Sequence, residues 1–356
     1  MKKCLWNALV FLVLLLAQPV ARAAEVSYTV TDLGQLNPTA INDAGQVTGY
    51  ADFAGQTHAF LYNGSITLDL GTLGGKSSSH AFAINSSGQI AGTADVTNTN
   101  GFLWANGTDP VDLGSLGGGT TLAYGINDFG QVVGSSSTPT LIDRAFLWSG
   151  GTMSDLGTPA EWRSAGTDIN NSGQVAGFFI FGGGPRAFLF SDGESIDLGT
   201  LGGTNSYATA LNDRGQVVGF ADTAQALQHA FLLSDGMMID LDPLGGNSIA
   251  AGINNFGQIV GTRSTAFLYE GGAMRDLNSL IATDSGWVLI DAFAINNVGQ
   301  IVGTGTHNGA QAAFLLTPLN PPPPTENVAV VLVHGIMGAA GSFSDDGKLY
   351  RDCPSI

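Results

Sequence analysis

Short apolar and alternating runs, separated by turns rich in Gly, Asn and Asp, fill the chain from about residue 28 to residue 316. Such runs are typical of β-strands, and no stretch among them keeps the spacing of an amphipathic helix. In one unit the pattern predicts strand a over Ser79 to Asn85, strand b over Gln89 to Ala94, strand c over Gly101 to Trp104 and strand d over Asp109 to Leu113. The pattern indicates an all-β protein.

One block, [A/G/D]-[I/L]-Asn-x-x-Gly-Gln-[V/I]-x-Gly, occurs seven times along the chain. Its Asn residues, spaced 42 or 43 positions apart, are Asn42, Asn85, Asn127, Asn170, Asn212, Asn254 and Asn296. An Ala-Phe-Leu-type run follows each block, and an Asp-Leu pair follows six of these runs. Four short strands in a period near 42 residues are typical of a propeller blade. The sequence therefore predicts a seven-bladed β-propeller of four-stranded blades.

The two ends of the repeat region complement each other. Tyr28 to Gly34 has the pattern of a strand d with no unit before it, and the seventh unit stops after Leu316 without its own strand d. Because an unpaired edge strand is a site of aggregation, we expect the first strand to complete the last blade and close the ring.

The repeated Asn and Gly have a structural explanation. In Asn42-Asp43-Ala44-Gly45-Gln46 the Asn side chain can form an Asx-turn, and the Gly can supply the positive φ of a type I turn with a bulge. A catalytic or metal role would require seven copies of the site. We therefore assign both residues to the hairpin between strands a and b, and the repeated Phe to the core between blades.

The combination of Asn-x-x-Gly-Gln-Val-x-Gly, His58-Ala59-Phe60, His229-Ala230-Phe231 and Asp-Leu-Gly-Thr-Leu-Gly-Gly at 69–75 and 197–203 resembles the bacterial extracellular HAF repeats. The resemblance covers about residues 28–316. It implies an exported repeat protein, and it implies no activity, cofactor or catalytic residue.

The start of the chain has the features of a secretory signal. Lys2 and Lys3 precede an apolar run from Leu9 to Ala17, which is shorter than the ~20 residues that span a bilayer, and Ala21-Arg22-Ala23 offers cleavage after Ala23. We predict a signal peptide over 1–23, a propeller over 24–317 and no membrane span after cleavage. The mature protein is expected to be secreted or periplasmic.

The charge balance limits the partners. The chain has 29 acidic against 12 basic side chains, and cleavage would remove three of the basic ones and no acid. This excludes nucleic acid as a partner and leaves neutral glycans, peptides and proteins.

The sequence predicts no disulfide and no cofactor. After cleavage Cys353 would be the one remaining cysteine, and the five His residues lack the spacing of metal ligands. Calcium bound by scattered Asp residues remains an open alternative. We expect a monomer.

Function is expected where the units differ. In a propeller the loops from strand d to the next strand a share one face with the b-to-c loops, and two of these d-to-a loops bring a Trp in place of Gly-Thr-Leu-Gly-Gly. An indole beside charged side chains can stack on a sugar or peptide, or it can fill the space left by the missing residues. The candidate ligand-binding residues are Glu161, Trp162, Arg163, Asp284 and Trp287.

The tail differs from the repeats. Pro321 to Pro324 indicate a linker, assigned to 318–327, and the run from Val328 to Gly338 resembles the oxyanion-hole strand of α/β-hydrolase lipases and esterases. That resemblance implies an oxyanion-like remnant at His334, Gly335 and Ile336 in a truncated domain over 328–356. No Gly-x-Ser-x-Gly elbow is present, so no catalytic residue is predicted.

Two main hypotheses follow. The first is a secreted binding module for a glycan, peptide or cell-surface partner, without enzyme activity. The second is the accessory propeller of a secreted α/β-hydrolase whose catalytic domain is truncated here. A propeller glycosidase would need a pair of carboxylates facing the channel, for which Glu161 and Asp284 are the non-repeating candidates.

Overall fold

The computed structural model describes residues 28–320, except 96–98, 106–107, 159–160 and 244. These residues form seven four-stranded antiparallel sheets, the blades, arranged in a ring. Two short 3-10 helices, Leu73–Gly75 and Leu277–Leu280, are the helical segments in this part of the chain. Within it, no helix has the length and apolar character to cross a membrane. The predicted seven-bladed β-propeller is confirmed.

Each blade runs from an inner strand a to an outer strand d. Blade 1 contains β2 (Asn37–Ile41), β3 (Val47–Phe53), β4 (Gln56–Tyr62) and β5 (Thr67–Asp69). Blade 2 contains β6 (Ser79–Ile84), β7 (Ile90–Ala94), β8 (Asn100–Trp104) and β9 (Val111–Asp112). Blade 3 contains β10 (Thr121–Ile126), β11 (Val132–Ser137), β12 (Asp143–Ser149) and β13 (Thr152–Asp155). Blade 4 contains β14 (Arg163–Ile169), β15 (Val175–Phe181), β16 (Gly184–Ser191) and β17 (Glu194–Asp197).

Blade 5 contains β18 (Gly202–Leu211), β19 (Val217–Thr223), β20 (Gln228–Ser234) and β21 (Met237–Asp240). Blade 6 contains β22 (Ile249–Ile253), β23 (Ile259–Thr262), β24 (Ala266–Glu270) and β25 (Ala273–Asp276). Blade 7 contains β26 (Trp287–Ile295), β27 (Ile301–His307), β28 (Ala310–Pro318) and the first strand, β1 (Tyr28–Gly34). The strands predicted for blade 2 match the observed ones, except that strand d is reduced to two residues.

The first strand closes the ring as predicted. β1 pairs antiparallel with β28, with Tyr28 opposite Pro318 and Thr31 opposite Leu315. The strand order of this blade is β1-β28-β27-β26, so the two ends of the described chain lie side by side. β28 extends through Pro318, where the sequence predicts the linker to begin.

The a-to-b hairpins have the predicted chemistry. In all seven the Asn Oδ1 accepts the N–H of the Gln four residues on, at 2.8 to 3.0 Å. The turn Gly has a positive φ between 72° and 81° in every copy. The last Gly of the block is required because strands a and b approach each other closely there. A Cβ on Gly219 would lie 1.9 Å from the Tyr207 carbonyl oxygen, which leaves no room for a side chain.

The repeated Phe of strand c forms the core between blades, as predicted. All seven copies are at most 3% exposed: Phe60, Phe102, Phe146, Phe188, Phe231, Phe267 and Phe314. Phe231 of blade 5, for example, belongs to one cluster with Ala176 and Ala187 of blade 4. Each blade therefore buries its apolar face against its neighbour, which holds the inner strands in a fixed position around the axis.

Candidate functional site

A β-bulge in the inner strand of every blade shapes the central channel. The pairing of strand a with strand b shifts by one residue at the same place in all seven blades, which leaves one residue unpaired and re-aims its side chain. The bulged residues are Thr39, Phe82, Tyr124, Thr167, Thr209, Ala251 and Phe293. All of them except Ala251 line a cavity in the channel.

Threonine at the bulge links neighbouring blades. The Thr167 Oγ1 lies 3.1 Å from the Ala176 carbonyl oxygen of its own blade and 3.1 Å from that of Ala208 in the next blade. The Thr39 and Thr209 hydroxyls bridge their blades in the same way. An aromatic side chain at the bulge gives up this link. The rings at this position in blades 2, 3 and 7 are therefore not explained by blade packing alone.

A second channel position complements the first. It lies in strand b, eleven residues after the bulge. Blades with Thr at the bulge have an aromatic residue at this second position, and blades with an aromatic residue at the bulge have Thr or Ser there. Each blade except blade 6 thus supplies one ring from these two positions. We call these six rings the aromatic belt: Tyr50, Phe82, Tyr124, Phe178, Phe220 and Phe293.

The belt is joined by edge and tilted ring contacts. Phe82 meets Tyr124 edge-on with ring centroids 5.6 Å apart, and Tyr207 lies 5.0 Å from both Phe178 and Phe220. These spacings are typical of favourable aromatic pairs. All belt side chains are half-buried, so each ring packs on the wall and still exposes part of its surface to the channel.

The cavity inside the belt has a volume of about 600 Å³ and an uncharged lining. Among the described residues that line it there is no Asp, Glu, Lys or Arg, and the polar groups include Asn37, Thr304 and Gln311. Burial lowers the pKa of His80, which packs against Tyr50, and burial raises the pKa of Tyr124. Both shifts favour the neutral forms, so the wall carries no formal charge at neutral pH.

A ring of hydrogen bonds encircles the channel at the a-to-b hairpins. Each hairpin Asn donates from Nδ2 to the main-chain oxygen of the hairpin Asn in the next blade, at 2.9 to 3.1 Å. The last of these bonds runs from Asn296 of blade 7 back to Asn42 of blade 1. The Asn that the sequence explains within one hairpin therefore also connects all seven blades.

The residue after each hairpin Asn forms a second, exposed ring. Six of these residues donate a main-chain N–H to a side-chain Oδ1 in the next blade, at 2.7 to 3.0 Å. Asp occupies three of the seven positions, at Asp43, Asp128 and Asp213, and no two of them are neighbours in the ring. Repulsion between carboxylates is thereby reduced. Within the described residues no group of three or more metal-ligating side chains is found.

Asp168 is the exception on the inner strands. The other six blades have Ala or Gly at its position, namely Ala40, Ala83, Gly125, Ala210, Gly252 and Ala294. Its carboxylate accepts the N–H of Leu211 in blade 5 at 3.0 Å and its own neighbour Ile169's N–H at 2.9 Å. Enclosure by the two blades raises the pKa of Asp168 to about 7 despite these hydrogen bonds, and Asp213 adds to the rise.

The first Trp loop is packed against its own blade. Trp162 stacks on Phe181 with centroids 4.1 Å apart and contacts Phe179 at 4.9 Å, within the core between blades 3 and 4. Arg163 forms an ion pair with Asp143, and Glu161 is exposed. These contacts are those of an indole that fills the space left by the missing loop residues.

The second Trp loop connects blades 6 and 7. Trp287 stacks on His307 with centroids 4.7 Å apart and an interplanar angle of 3°, and it lines a separate cavity of about 660 Å³, while Asp284 is exposed. Blades 4 and 7 are separated by two blades on one side and three on the other. The two Trp loops therefore do not form one site, and Glu161 and Asp284 are not brought together as a carboxylate pair. The remnant predicted at His334, Gly335 and Ile336 lies outside the described residues.

Histidine and aspartate pairs recur between strands c and d. His58 contacts Asp69 at 3.0 Å, and His229 contacts Asp240 at 2.8 Å. Arg186 contacts Asp197 in the same way in blade 4, and each strand-d Asp also caps the turn that follows it. Because Arg can replace His at this position, these pairs hold strand d and its turn in place.

No protein-family model and no curated protein sequence matches the chain. Solved structures do match, and they are β-propellers. A puromycin-hydrolyzing peptidase from Mycobacterium tuberculosis aligns with a TM-score of 0.56 and 12% identity over 83% of this chain. The chain spans 53% of that peptidase's length.

Two further structures align with this chain over nearly their own full length. The β-propeller domain of the Trilobed protease from Pyrococcus furiosus, described as having an open velcro topology, aligns with a TM-score of 0.53 and 9% identity over 83% of this chain and 98% of its own. YCF48 bound to D1 peptide aligns with a TM-score of 0.52 and 8% identity over 83% of this chain and 97% of its own. At these identities the likeness shows the fold alone. The closure by β1 contrasts with the open topology of the protease domain.

Proposed function

We propose that this protein is an exported binding module and that its aromatic belt takes an uncharged, largely apolar segment of a peptide or protein. The observation that carries the proposal is the belt itself: six of seven blades place one ring each on the channel wall, from one of two alternative positions. Half-buried aromatic side chains around a cavity of this size are typical of binding sites and of interaction hot spots.

The chemistry of the wall favours this ligand. Rings can bury apolar side chains, and the Asn37 and Gln311 amides in the lining can bind main-chain groups of a peptide. The uncharged lining gives no compensation for a charged ligand, whose desolvation would then oppose binding. A peptide-bound propeller of similar fold, YCF48, supports the same use of the scaffold. A neutral glycan, which the sequence leaves open, is the competing ligand for this site.

A selection followed by titration tests the proposal. Peptides selected from a random heptapeptide library on the full-length protein are expected to be rich in aromatic and aliphatic residues, and calorimetry is expected to show one binding site. Phe178→Ala should weaken binding at least tenfold, since loss of a central aromatic contact costs about 2 kcal/mol. Phe181→Ala, on the same strand but outside the belt, should leave the affinity unchanged.

A second variant separates binding from folding. Phe82→Thr installs at the bulge of blade 2 the residue found in blades 1, 4 and 5, so its hydroxyl can bridge two blades as Thr167 does. We expect this variant to keep its thermal stability and to lose peptide affinity. If the selected peptides bind Phe82→Thr and Phe178→Ala as tightly as they bind the parent protein, the belt is not the peptide site.

An accessory role beside a hydrolase is the second candidate. It is favoured by the fold likeness to the peptidase and by the resemblance of residues 328–338 to an oxyanion-hole strand. Reading the coding sequence onward from Ile356 tests it directly. A Gly-x-Ser-x-Gly elbow followed by an acid and a His within about 200 residues is expected, and its absence in every frame would dismiss this role.

A further inference from the structure

The seam between blades 6 and 7 contains a second cavity, independent of the belt. It has a volume of about 660 Å³ and lies between β1, the loop after β25 and the start of β26. Tyr28, Val30 and Asp32 alternate along one face of β1 and all contribute to its wall. Residues four apart on a strand are roughly 13 Å apart, so the cavity is elongated along this strand. We call it the seam cavity.

One end of the seam cavity carries an aromatic surface. The Trp287 indole is stacked on the His307 imidazole, with ring centroids 4.7 Å apart and an interplanar angle of 3°, and it lies roughly perpendicular to the Phe314 ring of the core. His307 is fixed by its hydrogen bond from Nδ1 to the Asp32 carboxylate at 2.8 Å. The exposed part of this half-buried indole can pack against the apolar face of a sugar ring.

Hydrogen-bonding groups surround this surface. Ser279, Ser285 and Asp32 line the cavity, and the Asp32 side chain is 43% exposed, so its oxygens can accept further hydrogen bonds. The Tyr28 ring also lines the cavity, and its hydroxyl is buried.

The charges of the lining exclude several ligand classes. Asp32 is the acidic side chain of the lining, its carboxylate is bonded to His307, and no Lys or Arg is among the described residues that line the cavity. An acidic saccharide or a phosphorylated ligand would find no Lys or Arg here. A hydroxyl-rich neutral chain fits both the hydrogen-bonding groups and the aromatic surface.

We propose that the seam cavity binds a short, unbranched neutral oligosaccharide. One sugar ring stacks on Trp287, and the chain lies along β1 toward Tyr28, with Asp32 and the serines accepting or donating hydrogen bonds to its hydroxyls. The site uses residues of blade 7 and its preceding loop, and it does not depend on the aromatic belt.

Tryptophan fluorescence and calorimetry of the full-length protein test this site with unbranched trisaccharides of glucose, mannose and N-acetylglucosamine. At least one trisaccharide should bind and change the emission. Trp287→Ala should weaken that binding by at least tenfold. Trp162→Ala is the matched control, since it also removes a stacked, half-buried indole from a d-to-a loop, and it should bind like the parent protein. Failure of all three sugars to bind, or equal binding by Trp287→Ala, would overturn the proposal.

Asp32→Asn provides a test that does not depend on the indole. It keeps the size of the side chain and removes the charge that strengthens hydrogen bonds from sugar hydroxyls, so sugar affinity should drop roughly two- to tenfold. Unchanged sugar affinity would contradict the role of this carboxylate. Phe178→Ala should retain sugar binding and lose peptide binding, so failure at one site is distinguishable from failure at the other.

Discussion

Replacing Asp168 by Ala should stabilise the propeller at alkaline pH and have little effect at acidic pH. Alanine or glycine occupies this position in the other six blades, so the change restores the local arrangement that the rest of the ring already uses. The carboxylate of Asp168 is enclosed between blades 4 and 5, and its pKa is raised from 3.8 to about 7.

The sign of this pH dependence follows from the protons that the folded and unfolded states bind. Between pH 3.8 and about 7 the folded protein keeps a proton that the unfolded chain releases, so the free energy of unfolding falls as the pH rises through this window. A pKa difference of about 3 units corresponds to at most about 4 kcal/mol. Loss of the hydrogen bond to the Leu211 N–H removes about 1 kcal/mol of this gain. We therefore expect a net stabilisation of about 2–3 kcal/mol above pH 8.

Urea unfolding at pH 4.0, 5.5, 7.0 and 8.5 measures this difference. The stabilisation by Asp168→Ala should grow with each step from pH 4.0 to 7.0 and then level off. Asp109→Ala, which removes an exposed carboxylate, is the control and should show no such trend. A stability change of the same size at every pH would contradict a raised pKa at Asp168, as would destabilisation at pH 8.5.

Three further predictions concern the ring. Asn254→Ala removes two accepted and two donated hydrogen bonds, so it should lower the free energy of unfolding in urea by about 2–4 kcal/mol. Its control, Asn63→Ala in an exposed hairpin, should lower it by less than about 1 kcal/mol. Gly219→Ala, whose Cβ would clash with a main-chain oxygen, should cost at least about 3 kcal/mol, against about 1 kcal/mol for Gly236→Ala in an open hairpin. A chain that begins at Gln35 lacks β1 and should melt at a clearly lower temperature, and an unchanged melting temperature would contradict closure by this strand.

Much of the fold follows from the repeat. The period, the hairpin Asn and Gly and the buried Phe recur in every unit, so their roles can be inferred without knowing how the blades meet. The unpaired strand at Tyr28–Gly34 also predicts closure, because an edge strand needs a partner. Strand d of blade 2 is shorter than predicted because its pairing with β8 spans only Val111 and Asp112.

The aromatic belt could not be predicted in the same way. It depends on a bulge that lies beside the close approach of Gly219 and its equivalents to strand a, and the sequence pattern does not reveal that register. The sequence does contain one signal for the belt. In each blade except blade 6, one of two positions eleven residues apart is aromatic and the other is Thr or Ser. This pattern can be interpreted only when both positions are known to face the channel. Similarly, a Trp in a varied loop does not show whether it packs, as Trp162 does, or lines a cavity, as Trp287 does.

The most direct test of the proposed function is a crystal structure of the full-length protein with a peptide selected on it. We expect peptide atoms inside the channel, within about 4 Å of Phe178, Phe220 and Phe293. A peptide bound on the outer strands or on the hairpin end of the ring, with the belt filled by water alone, would contradict it.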